Sequence, residues 1–330
     1  MDIREIDPAD EALGHRHWEI GKAAEAERPY DFHVPWELAW LSVREGRDDL
    51  DTVLLGAFDD GVMWGAARVD MGRYDNLHIA SSMYHTHPDM RRRGIARAMA
   101  EASYDVARGH SRTLMVTEAF APFGDTSPGL LFGEAMGFTK AIEDGMKVVD
   151  LEETESLWAD IENRVAPQHA EYRIVTWTDR IPDDLVDGYC RLSEMFLEEA
   201  PMGDLDVEPE KWDEDRVRKR EGRNARTGRH SPSAAAIAQD DTMAGFTEVM
   251  LNDSTPWRGM QSGTLVTPEH RGRNLGLGLK IANHRQLRQH FPECKVLLTG
   301  NADVNAPMNA VNDTLGFRDV ERCIEMQREI

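Results

Sequence analysis

The chain has 330 residues, 41% of them hydrophobic and 30% charged, and its 38 basic and 60 acidic residues leave a formal charge of −22. Its length suits one large domain or two ordinary ones, with a globular composition. The acidity disfavours nucleic-acid and anionic-membrane partners, because gripping a phosphate backbone needs a net basic face.

The N-terminus, MDIREIDPADEALGHRHWEIG, lacks a basic-then-apolar leader pattern, and no run approaches the ~18 apolar residues of a spanning helix. A cytoplasmic location follows as an expectation. In HVPWELAWLSVRE, Trp36, Trp40 and Leu41 mark one side of an amphipathic helix. DTVLLGAFDDGVMWGAARVDM predicts two strands joined at Asp59-Asp60-Gly61, since an acidic-glycine turn between apolar runs signals a hairpin. LHIASSMYHTHP predicts a strand ending near Pro88. After the basic turn THPDMRRRGIARAM, the residues Ile95, Met99, Ala102 and Val106 take helical spacing. SRTLMVTEAF predicts a further strand, and GLLFGEAMGF a helix stopped at Gly137.

The same order returns in the second half. SAAAIAQDDTMAGFTEVML reads as two strands, MQSGTLVTP as a strand ending near Pro268, and Leu275, Leu279 and Ala282 as a helical stripe. CKVLLTGNAD is another strand, and NAPMNAVNDTLGF a helix stopped at Gly316. Self-similarity over ~150 residues exceeds any solenoid unit and points to two homologous domains. Their expected bounds are 1–155 and 172–330, with the polar stretch at 156–171 as linker.

A strand, a glycine- and arginine-rich turn, then a helix is a recurring way to hold a phosphate. The helix start leaves N–H groups without partners, and its dipole adds partial positive charge. Glycine lets a pyrophosphate approach the backbone, and arginine supplies charge-assisted hydrogen bonds. One such turn is weak evidence. Two, in the same place within the same order, are much stronger.

On these residues the chain resembles the GNAT superfamily of acyl-coenzyme A-dependent N-acyltransferases, in tandem form. Arg91-Arg92-Arg93-Gly94-Ile95-Ala96 fits the superfamily's Arg/Gln-x-x-Gly-x-Gly/Ala signature. Anchored on Pro268, the second copy is Arg271-Gly272-Arg273-Asn274-Leu275-Gly276, with Asn274 where the first glycine belongs. A frame two residues later, starting at Arg273, fits the letters better. The first is preferred because the strand-to-loop distance fixes where a pyrophosphate sits, and asparagine tolerates left-handed backbone.

The resemblance implies an α/β (α+β) fold of two domains, each a mixed, mostly antiparallel sheet flanked by helices and splayed between its fourth and fifth strands. It implies acetyl-coenzyme A as acyl donor, bonded to backbone at Tyr84, His85 and Thr86 or at Thr264, Leu265 and Val266. One N–H there would stabilise the oxyanion. Transfer also requires a base to free the amine and an acid or solvent for the thiolate. Glu248, on a strand beside the cleft, is the leading base, and Glu118 its analogue in the first half. The tyrosine that many members carry four residues before the late Gly-Phe is replaced by Gly133 and Asn312. An amide can bond the sulfur but not protonate it, so Asn312 is assigned to the thiolate. Asn305 holds a pantetheine-contacting position where the first half has Thr126, and Asn301 and Asn309 are secondary candidates. The second domain is accordingly expected to be the catalytic one.

Other features point elsewhere. Cys190, Cys294 and Cys323 show no metal or disulfide spacing and read as reduced core residues. His85, His87 and His110 lack ligand-spaced neighbours, so no metal is expected, although His85 or His87 could move protons. His270 and His284 read as solvent-facing or capping. The basic run Glu214–Arg229 reads as a solvated helix face. The resulting expectation is direct N-acetyl transfer to a small-molecule amine, with no nucleic-acid or membrane partner and a homodimer compatible with the sequence. The rivals are a non-catalytic, acyl-coenzyme A-binding regulatory protein and an acetyltransferase acting on protein lysines or N-termini.

Overall fold

In the computed structural model, which describes residues 1–30 and 33–330, the chain opens with β1 (Asp2–Glu5), α1 (Glu11–Glu25) and α2 (Trp36–Glu45). There follow β2 (Leu50–Asp59), β3 (Val62–Gly72), β4 (Ile79–Thr86), α3 (Ile95–Gly109), β5 (Leu114–Ala121), α4 (Pro128–Ala135) and β6 (Thr139–Asp150). Next come α5 (Leu151–Val165), β7 (Arg173–Trp177), α6 (Val186–Glu199), α7 (Glu214–Arg226), β8 (Arg229–His230), β9 (Ser233–Ile237) and β10 (Met243–Asn252). β11 (Arg258–Val266), α8 (Leu275–His290), β12 (Val296–Ala302), α9 (Ala306–Thr314) and β13 (Arg318–Glu329) complete the chain.

Local chemistry accounts for the punctuation. Asp60 (φ 48°) and Gly61 (φ 80°) both take left-handed backbone, the two-residue turn whose twist matches a hairpin. Asp10, Ser127, Asp150, Asp213 and Asn305 cap their helices through the side chain. Gly137 and Gly316 end α4 and α9 in left-handed conformations.

The residues divide into two compact units. The first contains Met1–Glu143, Gly203–Asp206 and Glu321–Ile330; the second contains Asp144–Met202 and Val207–Val320. In the first, strands run in the order β1-β2-β3-β4-β5-β13, antiparallel except for β4 beside β5. Met99, Ala100, Tyr104 and Ala107 of α3 pack one face of this sheet with Val69, Met71 and Met115. Ile20 of α1 packs the other with Leu54 and Met63.

The second unit repeats the plan as β7-β9-β10-β11-β12-β6, with β11 and β12 the parallel pair and β8 added to β10. The sixth strand in each sheet comes from the other half of the sequence. Arg322–Glu329 pairs with β5, and Asp144–Asp150 with β12. The compact units are therefore not the contiguous stretches expected, because hydrophobic pattern shows that a strand exists but not which edge receives it. The expected linker also differs. Residues 151–165 form α5, which buries Trp158, Ile161 and Val165 against Ile281 and Leu287 of α8.

Ile324 and Met326, near the C-terminus, are 1% exposed and belong to the first unit's core. Replacing Ile324 by alanine is expected to destabilise that unit by about 2–4 kcal/mol, from lost transfer energy plus a cavity. Native-state hydrogen exchange would show protection falling first in α3 and β5. Loss confined to α8 and β12 would contradict the assignment of β13.

Candidate active site

Each parallel pair is short. β4 and β5 pair from Ile79 with Leu114 to Ser82 with Thr117, and β11 and β12 from Arg258 with Val296 to Met260 with Leu298. Beyond those points the strands part, opening the splay that the resemblance implied. Main-chain direction in the gaps follows from alternation. His87 N donates to Trp64 O and Thr267 N to Ala244 O, both at 2.9 Å. The N–H groups of Tyr84, Thr86, Thr264 and Val266 thus face away from β3 and β10, into the gaps. His85 and Leu265 turn their main-chain groups the other way, so of the six backbone positions these two are not presented.

At the head of each gap a helix begins without a side-chain cap. Gly94 (φ 83°) precedes α3 and Asn274 (φ 55°) precedes α8, both left-handed. Two residues earlier, Arg92 (φ 65°) and Gly272 (φ 77°) are left-handed as well. The two loops therefore share one backbone path, and the Pro268-anchored frame is the one the fold uses. Intrahelical bonding starts with Ala98 N to Gly94 O and Gly278 N to Asn274 O, each 3.1 Å, so the first amides of both helices have no intrahelical partners.

Ile95 and Leu275 bury their side chains and offer only main chain. Ala96 and Gly276 are equivalent second residues of their helices, and a Cβ at Gly276 would meet only Val311 at 3.7 Å. Arg92 and Arg93 are exposed. Arg91 lies 3.4 Å from Glu27, Arg271 lies 2.5 Å from Glu199, and Arg273 donates to Glu269 O at 2.9 Å. Their guanidinium groups brace the loops through neighbouring acceptors.

The halves differ at the floor of the gap. Between Thr247 paired with Thr264 and Val249 paired with Gln261 the register slips, leaving Ser262 and Gly263 opposite Glu248 alone. This bulge bends β11 where it leaves β12. A Cβ on Gly263 would come within 3.1 Å of Phe196, so the residue is small for room. The β3–β4 register runs unbroken from Gly65 with Thr86 to Asp70 with Ser81.

Glu248 sits beside the bulge with its side chain 9% exposed. Arg220 Nη2 donates to its Oε2 at 3.2 Å and Tyr189 Oη to the same oxygen at 3.5 Å. Oε1 makes no bond among the described residues. Burial and then Glu248 push the Tyr189 hydroxyl up, which keeps it a neutral donor. Arg220 lies over the rings of Tyr189 and Trp212 at 5.1 and 5.4 Å. It comes from the run read as a solvated face, and no sequence spacing linked it to Glu248, 28 residues later. Nearby, Gln261 Nε2 donates to Thr247 Oγ1 (3.0 Å) and Glu248 O (2.9 Å), while its buried Oε1 lacks a partner.

Two assignments change. Asn312 is fully buried, accepting from Lys280 Nζ at 2.6 Å and donating to Asn301 at 2.5 Å. Its amide is committed inside the helix–strand packing, so the thiolate role read from the sequence is not the one its surroundings show. Asn305 caps α9, its side-chain oxygen accepting from Met308 N at 3.3 Å. His284 is 1% exposed, packed on Trp158 and Phe317, and burial lowers its pKa to about 3; it faces the core, not solvent.

Counted from the helix caps, Lys280 replaces Ala100 of the first unit; counted from the Gly-Phe ends, Asn312 replaces Gly133. In the first unit that space is filled by apolar atoms, since a Cβ on Gly133 would lie 2.7 Å from Met326 Sδ. The second unit thus carries a buried lysine where the first has an alanine.

In the first unit Tyr84 packs on Phe132 at 5.9 Å, and His85 Nε2 lies 2.9 Å from Glu25 Oε1. His87 sits on Trp64, and Glu118 is exposed opposite Glu325 of β13. Among the described residues no group of three His, Cys, Asp or Glu is placed to hold a metal. The cysteines are buried without disulfides, and burial pushes Cys190 up to about 11 and Cys294 up to about 12. Neither is an activated nucleophile. No helix among the described residues is long and apolar enough to cross a membrane.

Residues 16–122 match the model of the acetyltransferase (GNAT) family. Among curated proteins none matches the sequence. A tandem GNAT protein from the clavulanic acid biosynthesis pathway, solved without AcCoA, is similar at a TM-score of 0.82 and 25% identity, covering 99% of this chain and 98% of that one. A GCN5-related N-acetyltransferase from Sphaerobacter thermophilus shares the fold at TM-score 0.66 and 14% identity, over 99% and 95% of the two chains. A putative acetyltransferase from Pyrococcus horikoshii does so at 0.55 and 14%, over 100% and 89%.

Burial holds Lys280 down to about 7 from an ordinary 10.5. Between those values the unfolded chain binds a proton that the folded chain does not, so stability rises with pH; below about 7 both states are charged and the cost is constant. Relative to Lys280→Met, the natural chain should gain up to about 1.4 kcal/mol per pH unit from pH ~7 to ~10 in denaturant unfolding. Parallel curves for the two proteins would refute a depressed lysine.

Proposed function

We propose that this chain, a tandem GNAT protein whose two halves both carry the acetyltransferase fold, transfers an acetyl group from acetyl-coenzyme A to the nitrogen of a small-molecule amine. The second unit carries a catalytic centre for this transfer. The observation that carries this reading is the meeting, at one splay, of an uncapped helix start, inward main-chain amides, a bulge and a buried carboxylate.

The residues fit the donor. The amides at the head of α8 suit a pyrophosphate, and the N–H groups of Thr264 and Val266 suit an extended polyamide arm. The orphaned Oε1 of Gln261 supplies a buried acceptor beside that path. When bound, acetyl-coenzyme A supplies an activated acetyl group. The chain's part is to place it and to manage one proton.

Glu248 is suited to that proton. Arg220 and Tyr189 hold Oε2 and fix the carboxylate, leaving Oε1 to take a hydrogen from an incoming ammonium. A base this enclosed, under α6 and α7, favours a small acceptor over a side chain on a protein surface. Acid help for the departing thiolate falls to solvent, since Asn312 is otherwise engaged.

Two measurements test this. Glu248→Gln should lower kcat by about 10²–10⁴-fold, the usual range for a lost general base, with acetyl-coenzyme A affinity unchanged in calorimetry. If the natural protein binds acetyl-coenzyme A yet releases no coenzyme A with any primary amine, the reading becomes that of a regulatory binder. Separately, Asn274→Val should abolish binding at the second loop and Gly94→Val at the first, because a β-branched residue resists left-handed backbone. Unaltered stoichiometry in both variants would remove the loops from the donor site.

A further inference from the structure

The first unit lacks the bulge and the carboxylate of the second, yet its corresponding face holds a denser set of titratable groups. Glu25, in the last turn of α1, lies 2.9 Å from His85 Nε2 and 3.4 Å from His33 Nδ1. Arg28 lies 3.5 Å from the same carboxylate and 2.7 Å from Glu321, a β13 residue whose side chain is 3% exposed. The side chains of Glu25, His33 and His85 are 15–18% exposed. His17 is held near 4, chiefly by burial, so it stays neutral beside them. Burial alone would raise Glu25, but hydrogen bonds from His33 and His85 overcome it and keep the carboxylate ionised.

His85 stands on β4 just past Ser82, the last residue paired with β5, and so at the mouth of the first gap. Glu25 orders the ring through Nε2, which sets the tautomer and leaves Nδ1 as the basic nitrogen. That nitrogen faces Gly21: a Cβ there would lie 3.4 Å from His85 Nδ1 and 2.8 Å from His33 Cε1. The missing side chain makes room for the two imidazoles against α1. The fold itself does not require the histidine. At the equivalent position the second unit has Leu265, buried in an apolar cluster with Tyr189, Leu192 and Phe246.

We propose that the first unit is a second acyl-transfer centre, with His85 as its general base and Glu25 as the residue that positions it. The proposal rests on the reading that the splayed gaps receive acetyl-coenzyme A. Its acceptor is a primary amine on an apolar body, because aromatic rings border the cluster: Trp18 stands 5.5 Å from His33 and 6.2 Å from Trp36. In the reaction the amine nitrogen passes one proton to His85 as the nitrogen–carbon bond forms and the carbon–sulfur bond breaks. The departing thiolate takes that proton, so amine and thioester become amide and thiol with nothing oxidised or reduced.

The test uses the full chain, acetyl-coenzyme A and a panel of aliphatic and aryl-alkyl primary amines, following release of free thiol. Glu248→Gln should leave a residual rate. Adding His85→Ala should lower it by about 100-fold, within the usual worth of a general base, and millimolar imidazole should restore at least tenfold. Gly21→Ala should lower the residual kcat with little change in acetyl-coenzyme A affinity. Circular dichroism of each variant guards against misfolding, and imidazole rescue would not occur if His85 only pinned α1. The proposal is overturned if Glu248→Gln alone abolishes transfer while calorimetry still counts two acetyl-coenzyme A per chain, or if the residual rate ignores His85→Ala. Absence of acetyl-coenzyme A binding at both units would instead sink the wider reading of donor binding.

Discussion

A parallel strand pair that separates after three or four residues leaves main-chain N–H and C=O groups inside a protein without their ladder partners. Buried backbone groups tolerate that only if water or a ligand satisfies them. The rest of each unit is arranged around this condition. The paired ends of β4–β5 and β11–β12 fix how far the gap opens, and a helix begins uncapped at its head. A sixth antiparallel strand closes the far side of β5 or β12 so that only one edge remains open. An extended ligand with amides along its length and an anion at one end fits both requirements together.

On this shared scaffold the two halves have solved the burial of charge differently. In the second, Arg220 neutralises Glu248 beneath two aromatic rings, and Lys280 is held by an amide in the packing. In the first, Arg28 joins Glu321 to Glu25, and two histidines complete the network. Buried ion pairs add little net stability because desolvation offsets their attraction, whereas replacing them with packed apolar groups often costs nothing. The halves demonstrate that exchange internally: Ala100 and Gly133 stand where Lys280 and Asn312 are, and Leu265 where His85 is.

Much of this was legible in order and spacing. The Asp60-Gly61 hairpin, the apolar stripes of α3 and α8, the Gly137 and Gly316 stops and both basic turns lie where local pattern placed them, since each depends on neighbours within a few residues. Other features escaped. A polar stretch became α5 because three apolar residues at helical spacing, Trp158, Ile161 and Val165, outweighed its charge. Asn312 and His284 turned inward, and Arg220 turned towards Glu248, through contacts whose partners lie tens of residues away.

The sequence by itself determined the kinds of element, their duplicated order and the left-handed loop ends, because these follow from residue-level backbone preference and periodicity. Only the tertiary structure decided that β13 completes the first sheet and β6 the second, that β11 bulges opposite Glu248, and which carboxylate meets which base. Those outcomes are set by non-local edge pairing and by the need to compensate each buried charge, and neither leaves a trace in local spacing.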